Sequence, residues 1–116
     1  MKLILSRFCS QEEFDLYMRG EILVNNKDFS KISKSTSKGF CWFDDDPEYA
    51  IEYLSGIVTR DICITVETDS ENVNTSMGYY WGCDGPEWMP EYCCTTYDNK
   101  RFKLIEATNK FKYDDD

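Results

Sequence analysis

The chain contains no histidine. A serine or cysteine nucleophile activated by an imidazole base is therefore excluded, because Ser6, Ser10 and the thiols lack the group that would take their proton. The six cysteines, Cys9, Cys41, Cys63, Cys83, Cys93 and Cys94, include no C-x-x-C pair, so a zinc site has no ligand pattern to rest on and no metal is expected. Consecutive Cys93 and Cys94 on a strand face opposite sides, which further separates them as ligands. Long apolar runs are also missing. Leu3, Ile4 and Leu5 are too few for the core of a secretory signal, and no stretch is long enough to span a membrane. The thiols accordingly read as reduced, small buried hydrophobes of a cytoplasmic protein. Cations are scarce too: 13 Lys and Arg face 22 Asp and Glu, a formal net charge of −9. That balance argues against direct nucleic-acid binding and against an anionic membrane surface. It suits a protein partner with a basic surface, or solubility alone.

What is present is enough for one domain over residues 1–116, since 41% hydrophobic and 16% aromatic residues are too many for a disordered chain. Its centre is GFCWFDDDPEYAIEYLSGI, residues 39–57. Phe40–Phe43 reads as a buried strand that turns through Asp44 and Asp45 into a helix. Asp46 accepts from the free N–H groups of that helix, Pro47 has no N–H to lose at its first position, and Glu48 favours its positive end. Ala50, Ile51, Leu54 and Ile57 then share one face, with Gly56 available as the stop.

Other elements are arranged around this centre. Lys2–Phe8 reads as a first strand. Ser10 with Glu13 forms a capping box that opens a short helix, with Phe14, Tyr17 and Met18 inward and Gly20 at its end. Glu21–Val24 follows as a short strand. Residues 25–38 are polar, with Lys27, Lys31, Lys34 and Lys38 against Asp28, a solvated basic loop or a contact for an anionic group without a glycine-rich cradle. Ile62–Glu67 is a strand by its β-branched content. Residues 68–90 show no sustained period and read as a long irregular excursion, whose Tyr79, Tyr80, Trp81 and Trp88 either pack on the core or bind a partner. Glu91–Tyr97 and Phe102–Ala107 read as an antiparallel pair joined by the turn Asp98-Asn99-Lys100. Residues 109–116 read as a frayed acidic tail. The fold class is α+β, mostly antiparallel sheet with two short helices.

Three segments, in this order, resemble the ADP-ribosyltransferase superfamily of the diphtheria-toxin and poly(ADP-ribose) polymerase type. Leu3-Ile4-Leu5-Ser6-Arg7 is similar to its first core strand, which ends in a histidine or an arginine that holds NAD. Lys38-Gly39-Phe40-Cys41-Trp42-Phe43 with the helix after Pro47 is similar to its "G-K-G-I-Y-F" strand and "A-x-x-Y" helix. Glu91-Tyr92-Cys93-Cys94-Thr95-Thr96-Tyr97-Asp98 is similar to the "N-E-Y-I-V-Y-D" strand that carries the catalytic glutamate. The resemblance covers about residues 3–107 and implies a compact split sheet that binds NAD as a substrate. It implies that Arg7 contacts the adenosine ribose or pyrophosphate and that Glu91 hydrogen-bonds the 2′-hydroxyl of the nicotinamide ribose. The family's stacking tyrosine falls at Cys41, which leaves Phe40 or Trp42 to hold the nicotinamide. Ser35-Thr36-Ser37 matches the strand of the arginine-type branch in composition but precedes the strand here.

Two functions are weighed on these grounds. One is a small enzyme that cleaves the nicotinamide–ribose bond and passes ADP-ribose to a protein or nucleic-acid acceptor, with Glu91 catalytic and Glu87 as a second carboxylate. The other is a non-catalytic acidic interaction protein, of the kind phages and mobile elements direct against nucleic-acid-handling defence proteins such as CRISPR effectors. There Asp44, Asp45, Asp46, the acidic tail and the aromatic stretch from Tyr79 to Trp88 would meet an Arg/Lys-rich surface. For Glu91 the plain alternative is a strand-initial glutamate pairing with a nearby surface lysine, and for Arg7 a strand-end charge.

Overall fold

The computed structural model describes residues 1–24, 41–48, 60–82 and 85–112. Phe40, the basic stretch 25–38 and the helix expected beyond Glu48 lie outside these residues, although Pro47 and Glu48 already have helical backbone.

The described strands form two three-stranded antiparallel sheets, consistent with the small α+β fold expected. β1 (Lys2–Cys9), β3 (Ile62–Asp69) and β6 (Lys103–Thr108) lie in the order β1-β3-β6. β2 (Cys41–Phe43), β5 (Gly85–Cys94) and β4 (Asn74–Gly82) lie in the order β2-β5-β4. β1 and β3 run in unbroken register from Lys2↔Asp69 to Cys9↔Ile62, and Leu5, Ile64 and Val66 from this pair are sealed in the core. Among the described residues a backbone bridge joins the two sheets. Ser6 of β1 and Asp44, just past β2, exchange both backbone hydrogen bonds, at 2.6 and 2.8 Å.

Helix α1 (Gln11–Met18) begins as its cap dictates, with the Ser10 Oγ accepting from Glu13 N at 3.1 Å. Gly20 ends the turn with φ +85°, a conformation that costs glycine little. The inward face differs from expectation. Tyr17 is fully buried and Phe14 and Leu16 pack partly against the core, while Met18 is 52% exposed. Tyr17 sets the position of the helix because its hydroxyl donates to the Phe102 carbonyl and its ring stacks on Tyr97 at 5.8 Å. Phe43 and Phe102 stack at 5.2 Å, and Tyr97 meets Phe43 edge-on at 5.4 Å. Each such pair contributes about 0.5–1.5 kcal/mol beyond area burial. Together they tie α1, β2 and the chain between β5 and β6 into one core.

Several expectations are corrected. The short strand at Glu21–Val24 reduces to a single bridge, Leu23 with Tyr97. The excursion 68–90 is instead a 3-10 turn, Ser70–Asn72, followed by a long ribbon in which β4 and β5 pair from Asn74↔Cys93 to Gly82↔Gly85. Period reading fails there because glycine and proline interrupt the alternation. Pro86 and Pro90 are tolerated in β5 because, among the described residues, β2 pairs only with Tyr92, Cys93 and Cys94, so their ring nitrogens face a side where no described strand forms a ladder. The pair Glu91–Tyr97 and Phe102–Ala107 does not form: β6 pairs with β3, across the molecule. The turn between them survives, with the Asp98 carboxylate accepting from Lys100 N at 3.1 Å and Arg101 N at 2.9 Å. The start of the expected frayed tail is held. Phe111 packs edge-on against Phe8 at 5.4 Å and Lys110 pairs with Glu48 at 3.3 Å. Among the described residues no helix is long and apolar enough to cross a membrane.

Candidate functional site

Glu91 is not at the start of a strand but well inside β5, where Ser76 of β4 stands opposite it. Its parity decides its surroundings. Pro86 and Pro90 cannot donate to β4, so the backbone groups of even-numbered β5 residues face away from β4 and those of Glu91 face toward it. On its other side, the register Phe43↔Tyr92 carried one step further sets Asp44 directly across from Glu91. Strand alternation assigns Asp44 and Glu91 to the same side of the sheet.

Two neighbours shape the Glu91 side chain. Ser76 is hydrogen-bonded to it. Gly78, buried and two residues further along β4, leaves the space in which it lies: a Cβ at Gly78 would stand 2.1 Å from Glu91 Oε1 and 2.4 Å from its Cδ. A glycine within a strand commonly marks such a close approach. Partial burial, then the nearby charge of Asp44, raise the Glu91 carboxyl above the usual carboxylate range against the opposing hydrogen bond of Ser76. The same negative field reaches Tyr92, whose hydroxyl is raised by burial and then by Asp45 and Asp44. Asp44 is buried, and its Oδ1 accepts from Asp46 N at 2.8 Å.

Arg7 lies on β1 beside this junction but is turned into the core. Its Nε and Nη2 reach the two carboxylate oxygens of Glu13 at 2.9 and 3.0 Å, and Tyr97 donates its hydroxyl to the same carboxylate. The guanidinium lies 5.3 Å from the Tyr97 ring centre and 5.8 Å from that of Phe43. Burial opposes the charge, but the bonds and charge of Glu13 outweigh it and raise the pKa of Arg7. Arg7 is thus the buried half of an ion pair that fixes α1 to β1.

Of the residues expected from the sequence, the fold sets Trp42 and Glu91 on neighbouring paired strands, puts Arg7 on β1 with its charge inward, and leaves Phe40 outside the described residues. Sequence reasoning named Asp44 only as part of a helix-entry turn and an acidic interface, and missed its place beside Glu91, together with Ser76 and Gly78, read as irregular chain. A separate recess of about 120 Å³ between the 3-10 turn and the end of β5, lined by Glu71, Asn74, Thr96 and Arg101 among others, is small beside the roughly 300–1,000 Å³ of ligand pockets. Among the described residues no group of three or more Cys, Asp or Glu could hold a metal ion.

No known family, no curated protein and no solved structure matches this chain.

Proposed function

We propose that this protein is a small NAD-cleaving enzyme of the ADP-ribosyltransferase type, with Glu91 as its catalytic carboxylate. The observation that carries the reading is the adjacency of three segments far apart in sequence. β5 and β2 are hydrogen-bonded neighbours, β2 runs into the backbone bridge to β1, and Asp44 and Glu91 stand across from each other at that junction. These are the segments whose sequences resemble the superfamily's NAD-binding and catalytic strands.

The chemistry follows from the placement. Breaking the C1′–N bond sends its electron pair into the nicotinamide ring, which leaves neutral, and builds positive charge on the ribose. A carboxylate fixed beside that ribose accepts a hydrogen bond from the 2′-hydroxyl and stabilises the charge as it develops. Glu91 is held for this by Ser76 and Gly78, and it works ionised. The resemblance offers Trp42, on the strand paired with β5, as the aromatic for the nicotinamide ring. An acceptor nucleophile, or water, then attacks C1′ and completes the transfer.

A second reading is favoured by Arg7. Its closed pairing with Glu13 leaves the pyrophosphate without the cation that the resemblance would assign to it, as expected of a chain that keeps the fold and acts by binding a protein. Titrating NAD into isotopically labelled protein separates the two. Shifts centred on Trp42, Asp44, Ser76 and Glu91 support the enzyme; shifts elsewhere, or none at millimolar NAD, overturn it in favour of the binding protein.

A further inference from the structure

The geometry points to the outer edge of β4 as a strand-pairing site for an extended, lysine- or arginine-bearing segment of another protein. β4 is the outermost strand of its sheet, and among the described residues no strand pairs on its far side. Exposed edges are normally blunted by charge, proline or a bulge. β6, the edge of the other sheet, follows that rule: it carries Lys103 and Glu106, and its pairing with β3 slips at Thr65/Val66. β4, by contrast, reads NTSMGYYWG, with no charge and no proline, and its register with β5 is unbroken over its whole length.

The prolines of β5 identify which backbone groups are open. Pro90 opposes Met77 and Pro86 opposes Trp81, and neither can donate, so these are the pairs that do not exchange hydrogen bonds. Thr75, Met77, Tyr79 and Trp81 therefore point their N–H and C=O groups outward, while residues 76, 78 and 80 hold the ladder to β5. Thr75 and Met77 are exposed, Met77 at 57%.

The two faces of the ribbon state the chemistry of the occupant. By alternation one face carries Met77, Pro86, Trp88 and Pro90, and Trp88 is 65% exposed. The opposite face carries Glu91. The ribbon sequence, residues 74–94, holds no Lys or Arg but three Asp and Glu. An added strand that alternates apolar and cationic residues would match both faces, gaining backbone bonds for affinity and charge for selectivity. A second copy of this chain would bring the same carboxylates against one another and is disfavoured.

The test uses the whole protein and a synthetic peptide alternating lysine with valine, beside one alternating glutamate with valine. Binding of the lysine peptide alone, weakening with salt, with new hydrogen-exchange protection at Thr75, Met77, Tyr79 and Trp81, is the expected result. Met77→Pro removes an outward N–H without touching the β5 ladder and should weaken binding by at least about tenfold with the melting curve retained. Should that variant fail to fold, backbone N-methylation of the peptide makes the same cut from the other side. Equal binding of both peptides, protection elsewhere, binding indifferent to both cuts, no binding, or a β4-dependent dimer in sedimentation overturns the proposal.

Discussion

Glu91 occupies the space that a side chain at Gly78 would need, with its Oε1 only 2.1 Å from where that Cβ would stand. Gly78 is thus a positioning residue for the carboxylate. The displaced atoms are the far end of a flexible side chain, so Gly78→Ala should move Glu91 off Ser76 while leaving the ribbon paired. The expected outcome is a near-wild-type melting temperature together with an altered titration of the Glu91 carboxyl, followed by carbon-13 NMR. An unchanged titration would mean that the contact does not set its position.

Ionisation of Glu91 opposes folding. Its carboxyl is raised first by burial and then by Asp44, so the folded state holds the proton more tightly than the unfolded chain. The stability linked to that proton is present at low pH and is lost as pH rises through the raised value. Glu91→Gln should therefore stabilise the protein more at about pH 7 than at about pH 4. Thermal melts of both proteins across that range check the sign, and an effect that grows toward acid contradicts it.

The Arg7–Glu13 pair is built to be hard to break singly. The side chains are 9% and 22% exposed and share two hydrogen bonds, with Tyr97 as a third partner. Arg7→Met should cost about 3–5 kcal/mol, the usual penalty for orphaning one member of a buried pair. Tyr97→Phe should cost about 1–3 kcal/mol for the lost hydroxyl partner. Urea denaturation measures both, and a loss under about 1 kcal/mol for Arg7→Met would show that the pair is incidental.

Thiol reactivity should follow burial. Cys9 is pushed up to about 12 and Cys63 to about 11, in each case first by desolvation, and both are buried. The thiolate is the reactive form, so both should resist disulfide reagents until the chain unfolds. Residue-resolved mass spectrometry before and after denaturant gives the comparison. Rapid native labelling of Cys9 would contradict the packing of β1 against α1.

The parts of the fold written in local signals were readable from the sequence. Ser10 and Gly20 bracket α1, and continuous β-branched and apolar runs mark β1 and β3, because capping and burial act over a few residues. The β4–β5 ribbon was not readable, since Gly78, Gly82, Gly85, Pro86 and Pro90 look like loop chemistry unless it is known which edge of β5 lacks a partner. The same blindness hid the site. Glu91 was singled out by motif, but Asp44, Ser76 and Gly78 reach it only through strand pairing, and the inward turn of Arg7 depends on Glu13 and Tyr97 arriving from two other elements. The destination of β6 was set by the core around Phe102 and not by the short turn before it.

Nicotinamide release from NAD, measured for the wild type beside Glu91→Gln with a protein lysate supplying acceptors, tests the central claim most directly. The wild type should release nicotinamide and the variant should lose that release by on the order of 10²-fold or more, with folding retained. Equal release by the two proteins, or none by either, would contradict it.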